Sequence, residues 1–381
     1  MRLNKKTPVY LSLLIGLLVG CIYIAIVLYR LYINADITWF IHAGDEFTSR
    51  DELYESIYTH KNVSGYDGQF YYRFSQNPLT HLKVENGIEI DSPIYRGQRI
   101  VYPLIVRILS LGNNRVIPWI MVSVNIVGMA VIGYTSTLYA QRINRSVWWG
   151  ILLGLYPGFM YTFLYNLTEI IAVLFVMFSM YMLRIKRFNW GVVGFCLSVL
   201  SRETTIIFPI GYGLYMYFAS KEKGVQRNWV LIGLPIAVYM SWRTVLFALW
   251  GNSAESPIDT LLTNITFPLA GIVSAVHIWK VEWIFMTMIS IVICYTIYCM
   301  AVLKFNRYTL IWTLYTALFI SLSVNVVGYI NSFTRASVEL FVISVLMWME
   351  VKSPLQWVVI GMLAFFDVII WSQAMNLLLQ Y

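Results

Sequence analysis

The sequence predicts an all-α polytopic membrane protein of about eleven spans, and three observations carry that prediction. Hydrophobic residues make up 59% of the chain, charged residues only 12%, and the mean hydropathy is +0.67. A soluble domain carries about 25% charged residues. Apolar runs long enough to cross a hydrocarbon core recur along the chain. Basic clusters alternate with loops that carry none, apart from the arginines of the first loop, so the loops sort onto two sides. The net charge of +8 then fits a basic cytoplasmic rim against anionic lipid, and nucleic acid is not an expected partner.

The elements follow in order. Val9–Ile33 is the first span; its length excludes a signal-peptide core and predicts an uncleaved anchor. Arg2, Lys5 and Lys6 place the N-terminus in the cytoplasm. Residues 34–98 then face outward, too polar for lipid and too long for a plain connector, and predict a small cap with interfacial helices. Ile100–Leu111 is a short interfacial or partly inserted helix. Val116–Ala140 spans and ends at the basic turn 141–145. Val147–Tyr165 returns, interrupted at Pro157-Gly158. Such a break is tolerated where protein or a cavity covers the freed backbone. Leu167–Leu183 leads to the basic run 184–187, and Trp190–Ser201 rises to Arg202 and Glu203.

Thr204–Ala219, Trp229–Trp250, Trp283–Leu303, Tyr308–Ile330, Ala336–Met349 and Leu355–Met375 complete the spans. A turn is expected at Asn331–Thr334. Between 251 and 280 apolar residues keep helical spacing around Pro268, which predicts a broken amphipathic helix on the outer interface. The chain reads as one integral membrane domain, 1–381, with an external catalytic loop at 34–115.

With that topology Asp67, Asp91, Arg96, Arg99, Glu169, Arg202, Glu203 and Arg335 fall on the outer face. Ionisable groups at one membrane depth, contributed by distant segments, mark a functional cavity. Asp67 is the candidate general base for a group transfer, although Asp67-Gly68 also reads as a simple turn. Tyr66 and Gln69, on either side of that pair, join it as candidates for substrate contact. Arg96 and Arg99 fit a phosphate, which guanidinium grips as a fork, or else lipid headgroups. Asp91 pairs with one of them or caps a turn. Glu169 reads as a first-turn acid behind a Thr168 or Asn166 cap, or as a cavity group. Adjacent on a helix, Arg202 and Glu203 point to different faces. Arg335 and Glu339 are spaced for an intrahelical pair, against a ligand role for Arg335.

The four histidines show no ligand spacing, and His42 beside Asp45-Glu46 is the nearest approach to one. No metal site is assigned and no cofactor expected, with a divalent cation left open. The four cysteines sit in apolar runs as packing residues, and the sequons at Asn62, Asn144, Asn166 and Asn264 read as coincidental.

Tyr66-Asp67-Gly-Gln-Phe-Tyr-Tyr, followed by Tyr102-Pro-Leu-Ile-Val-Arg-Ile-Leu-Ser, resembles the first-loop pattern of GT-C membrane glycosyltransferases. The nearest look is to the enzymes that add the second mannose to GPI anchors and to their bacterial relatives. Thr168-Glu169 and Ser201-Arg202-Glu203-Thr204 are similar to that family too, so the likeness covers roughly the first 210 residues. Tyr66 stands where the eukaryotic pattern usually has Trp, and Arg-Glu-Thr replaces an Arg-Ser-Asn type of run. The resemblance implies a polyprenyl-phosphate-linked sugar donor, a glycan, lipid or protein acceptor on the external face, and Asp67 as base. The bacterial-type variant implies a plasma (inner) membrane. The rival class is a transporter or flippase of a lipid-linked glycan, which commonly shows internal repeats; none is visible in this sequence.

Overall fold

The computed structural model describes residues 7–49, 56–219, 225–251 and 263–379. Thr7–Ile33 is one continuous helix, α1. At 1.5 Å per residue it is about 40 Å long, ample for a hydrocarbon core of about 30 Å. It packs along α5, Ile117–Arg142. Small residues set that approach: a Cβ on Gly16 would lie 2.7 Å from the Ala130 carbonyl oxygen. In lipid, where helices gain little from hydrophobic exclusion, such close backbone contact is the main source of association.

Among the described residues five helices are long and apolar enough to cross a membrane: Val9–Ile33, Asn114–Arg142, Trp229–Trp250, Glu282–Leu303 and Leu355–Leu379. The pair Ile330–Ala336 and Val338–Glu350, bent by 44°, makes a sixth if taken as one span. The count of eleven is therefore not confirmed. The other expected spans are present as helices but are short or broken. They are α6 (Trp149–Gly154), α7 (Pro157–Leu164), α8 (Glu169–Arg184), α9 (Phe188–Ser201), α10 (Ile207–Ala219) and Thr309–Ile320. The break near Pro157 lies where the sequence puts it. Every residue of α7 is buried, so protein covers the backbone freed at the break.

Two other expectations change. The span predicted over Tyr308–Ile330 stops at Ile320, and the chain at 264–269 covers the break. Leu269 N–H donates to the Ile320 carbonyl at 2.6 Å, Thr266 N–H to Ser321 at 2.7 Å, and Ser323 N–H to Asn264 at 2.9 Å. The backbone groups freed at the break are thus satisfied by protein. Asn331–Thr334, expected as a turn, lies inside the helix Ile330–Ala336. Of the amphipathic segment, residues 252–262 lie outside the described residues. The rest forms a helix over Ala270–Ala275. Its Ile272 and Ala275 are buried, while the neighbouring Phe267, Leu269 and Val273 are exposed.

The segment between α1 and α5 is small and tightly tied. Strands β1 (Ala43–Gly44) and β2 (Thr59–His60) pair in parallel, and β3 (Val84–Glu85) pairs antiparallel with β4 (Ile88–Glu89). Helices α2 (Gly68–Gln76), α3 (Pro93–Gly97) and α4 (Val101–Leu109) complete it. Arg73 is fully buried and donates to the carbonyls of Lys83 (2.6 Å), Ile88 (2.7 Å) and Leu82. It organises the β-hairpin. Helix α11 (Val225–Trp250) clamps α3: Trp242 Nε1 donates to the Gly97 carbonyl at 2.9 Å, and Tyr239 to Gln98 Oε1 at 2.8 Å.

Candidate functional site

Asp67 stands at the head of α2 but does not cap it, since its side chain makes no bond to the helix N-terminus. Gly68 shows why the chain needs glycine there: a Cβ would lie 2.3 Å from the Tyr165 carbonyl oxygen and 2.6 Å from that of Ile41. The Asp-Gly pair is thus a docking point for the helix, and the carboxylate is left to face guanidinium groups.

Arg96 reaches it from α3. Its Nη1 donates to Asp67 Oδ1 at 2.6 Å, and its Nε and Nη2 grip Asp91 at 2.9 and 2.5 Å. Arg335, at the bend between Ile330–Ala336 and Val338–Glu350, lies 3.5 Å from Asp67 Oδ2. Its Nε and Nη2 both donate to Glu169 Oε1, at 2.9 and 2.7 Å, and its Nη1 donates to the Tyr66 hydroxyl at 2.7 Å. The expected intrahelical pair with Glu339 is not formed; the bend turns Arg335 toward α8 instead. Arg202 is shared between Glu169 and Glu339, the latter at 2.8 Å. Thr204 Oγ1 also donates to Glu339, at 3.0 Å.

Acids and arginines therefore alternate through one array: Asp91, Arg96, Asp67, Arg335, Glu169, Arg202, Glu339. Beside it Arg99 holds Glu203 as a fork, at 2.9 and 2.6 Å, and donates to the hydroxyls of Tyr71 and Tyr95 at 3.1 Å each. Five carboxylates against four guanidinium groups leave one formal negative charge. The array is deeply set, with the Glu169 side chain 0% and that of Asp67 18% exposed. Burial alone would push the Asp67 carboxyl up. Arg96, Arg335 and Arg99 outweigh it and bring the group down to about 2. Glu169 Oε2 is buried without a hydrogen-bond partner in the protein.

Most of the site residues expected from sequence thus come together: Asp67, Tyr66, Asp91, Arg96, Arg335, Glu169 and Arg202 in the array, Arg99 and Glu203 beside it. Gln69 does not join them. It is fully buried and staples the loop, accepting from Gly44 N–H at 3.2 Å and Thr48 at 3.0 Å while donating to the Ser64 carbonyl at 2.7 Å. Glu169 has no cap partner in Thr168; its Oε1 is taken by two arginines. Sequence reasoning missed Glu339 as an array member and Tyr95 as a partner of Arg99. The spacing of Glu339 from Arg335 was visible, but the wrong partner was inferred from it. Among the described residues no group of three or more His, Cys, Asp or Glu is placed to hold a metal ion.

At the other end of the same helices lies a second polar group. Arg184, ending α8, pairs with Glu350 at 3.2 Å, and Tyr308 donates to Glu350 at 2.8 Å. Arg145 donates to the Val351 carbonyl at 2.8 Å. The ends of α5 and α8, the start of Thr309–Ile320 and the end of Val338–Glu350 therefore meet on one side.

Compared with family models, with curated proteins and with solved structures, the chain matches none.

Proposed function

We propose that this chain is a GT-C-type membrane glycosyltransferase. It moves a sugar from a polyprenyl-phosphate donor to an acceptor hydroxyl on the external face by direct displacement with inversion. The observation that carries the reading is Asp67: a carboxylate free of helix-capping duty, set in a buried array and held by arginines from two distant segments. In the reaction the acceptor oxygen bonds to the sugar's anomeric carbon as that carbon's bond to the phosphate oxygen breaks. The acceptor proton passes to Asp67, and the electron pair leaves with the polyprenyl phosphate.

The resting charge balance supplies the trigger. With Arg96 and Arg335 on it, Asp67 is a weak base. A guanidinium has five N–H donors, and Arg96 spends three on Asp91 and Asp67. A donor phosphate takes the remainder and draws the arginines off Asp67. Burial then raises the basicity of the carboxylate at the moment it must take a proton. The same arginines, with Arg99 and Arg202, neutralise the charge developing on the leaving phosphate. Glu169, with one oxygen unpartnered, and Glu203 orient the sugar or the arginines.

The orientation belongs to the same reading. The array faces outside and the Arg145–Arg184–Glu350 end faces the cytoplasm of a bacterial plasma membrane, as the basic loops imply. The short helices around α8 and α9 serve as thin or broken spans, which brings the count toward eleven. The rival reading, a flippase of a lipid-linked glycan, is served by the same arginines. The test separates the two. Purified protein in liposomes is given a polyprenyl-phosphate sugar labelled in the sugar. Label transferred to a second molecule with release of polyprenyl phosphate supports the enzyme. Intact donor appearing in the opposite leaflet with no cleavage contradicts it.

A further inference from the structure

Beside the array lies a pocket of about 540 Å³, within the range of ~300–1,000 Å³ that small-molecule sites occupy. Five rings build it into one continuous wall. Tyr66 and Tyr165 stack at 4.4 Å and 20°. His42 meets Tyr165 edge-on at 4.7 Å and lies tilted by 42° against His60 at 4.3 Å. Tyr58 closes on His60 at 4.9 Å and 80°.

The wall is fixed in place by backbone. Tyr66 N–H donates to the His42 carbonyl at 2.9 Å. Gly65, at φ +71, lies so close to β1 that a Cβ would meet Gly44 N at 2.4 Å. Tyr66 belongs to both places: it lines the pocket, its hydroxyl accepts from Arg335, and the next residue is Asp67.

We infer that this pocket holds a neutral sugar ring of the acceptor, with a hydroxyl presented past Tyr66 to Asp67. The inference rests on the glycosyltransferase reading and narrows its acceptor to a glycan. The apolar C–H face of a pyranose lies on aromatic rings, while its rim hydroxyls need polar partners. Lys61 and Asn331 supply such partners in the lining.

The charge of the pocket excludes the other occupants. A quaternary ammonium suits an aromatic cage, but no carboxylate lines this one and Arg335 stands behind it. For an anion the lining offers only the exposed Lys61. Burial, then the neighbouring His60, pushes His42 down to about 3, and burial lowers His60 as well, so both rings are uncharged at neutral pH.

The test uses the purified full chain and the methyl α-glycosides of mannose, glucose and galactose, with tetramethylammonium and inorganic phosphate as counter-probes. Binding is read by saturation-transfer NMR. Val63, exposed in the lining, is replaced by Trp to fill the pocket, and Tyr58 by Ala to remove one ring. At least one glycoside is expected to bind the wild-type chain, with affinity reduced roughly tenfold or more in both V63W and Y58A. Binding of a labelled polyprenyl-phosphate sugar is expected to stay within about twofold. Three results overturn the assignment: no glycoside bound at about 50 mM, glycoside binding that Val63→Trp leaves unchanged, or binding of either counter-probe alone. None of these touches donor cleavage, whereas a wild-type chain that binds glycoside and never cleaves donor defeats the glycosyltransferase reading itself.

Discussion

Helix α8 carries charge at both ends, and the two ends are built on different terms. At its start Glu169 is fully buried and two arginines from other segments converge on one of its oxygens. At its end Arg184 meets Glu350 with both side chains 22% exposed. That pair keeps part of its hydration, so it forms or breaks at less expense than one around the fully buried Glu169. A buried array loses a large desolvation energy that hydrophobic residues of the same size would not lose. The chain tolerates that loss at one end of the helix only. Stability does not explain the difference; the chemistry proposed above for the array gives it a reason.

The largest expected effect comes from breaking the array one-sidedly. Arg202→Met leaves Glu339 and Glu169 buried with too little positive charge and should destabilise the protein by about 3–5 kcal/mol, read by thermal melting in detergent. Adding Glu339→Leu removes the stranded carboxylate, so the double variant should recover a large part of that loss. A double variant no more stable than the single one would mean that the array is not energetically coupled.

The next effect is on pH dependence. The depressed Asp67 carboxyl contributes stability that is fully present above the ordinary carboxylate value of about 3.9. That contribution is lost as pH falls toward about 2. Transfer by the wild-type chain should therefore show no acidic limb from the free enzyme above about pH 4. In Arg96→Gln the upward push of burial loses its main opponent, and an acidic limb should move toward neutral pH in the profile of kcat/KM. An unmoved profile would break the link between Arg96 and Asp67. The smallest effect is at the other end of the helix: Arg184→Met should cost no more than about 1 kcal/mol.

Local pattern made much of this legible in the sequence. Long apolar runs gave α1, α5, Val225–Trp250, Glu282–Leu303 and Leu355–Leu379 nearly to their ends. Charges at one depth pointed to Asp67, Arg96, Glu169, Arg202 and Arg335 as neighbours. What stayed hidden was set by tertiary contact. Arg335 and Glu339 have the spacing of a helical pair, and only the bend at Ser337 sends each to another partner. Gln69 looked like a site residue because it is polar and close to Asp67 in sequence, yet it is spent on holding a loop carbonyl, an amide and a hydroxyl. The helix end at Ile320 was invisible because the chain at 264–269 supplies the bonds that permit it. The aromatic pocket joins His42, Tyr58, His60 and Tyr165, which no spacing rule connects.

The central claim is that Asp67 takes the acceptor's proton. Its most direct test is the transfer rate of purified Asp67→Asn, measured alongside donor binding and thermal stability. Asparagine keeps the shape and suits the same backbone, but it cannot accept the proton. The account predicts a folded chain that binds the polyprenyl-phosphate sugar and transfers it about 10²–10⁴-fold more slowly, with Asp67→Glu retaining partial activity. Transfer by Asp67→Asn at the wild-type rate would contradict it.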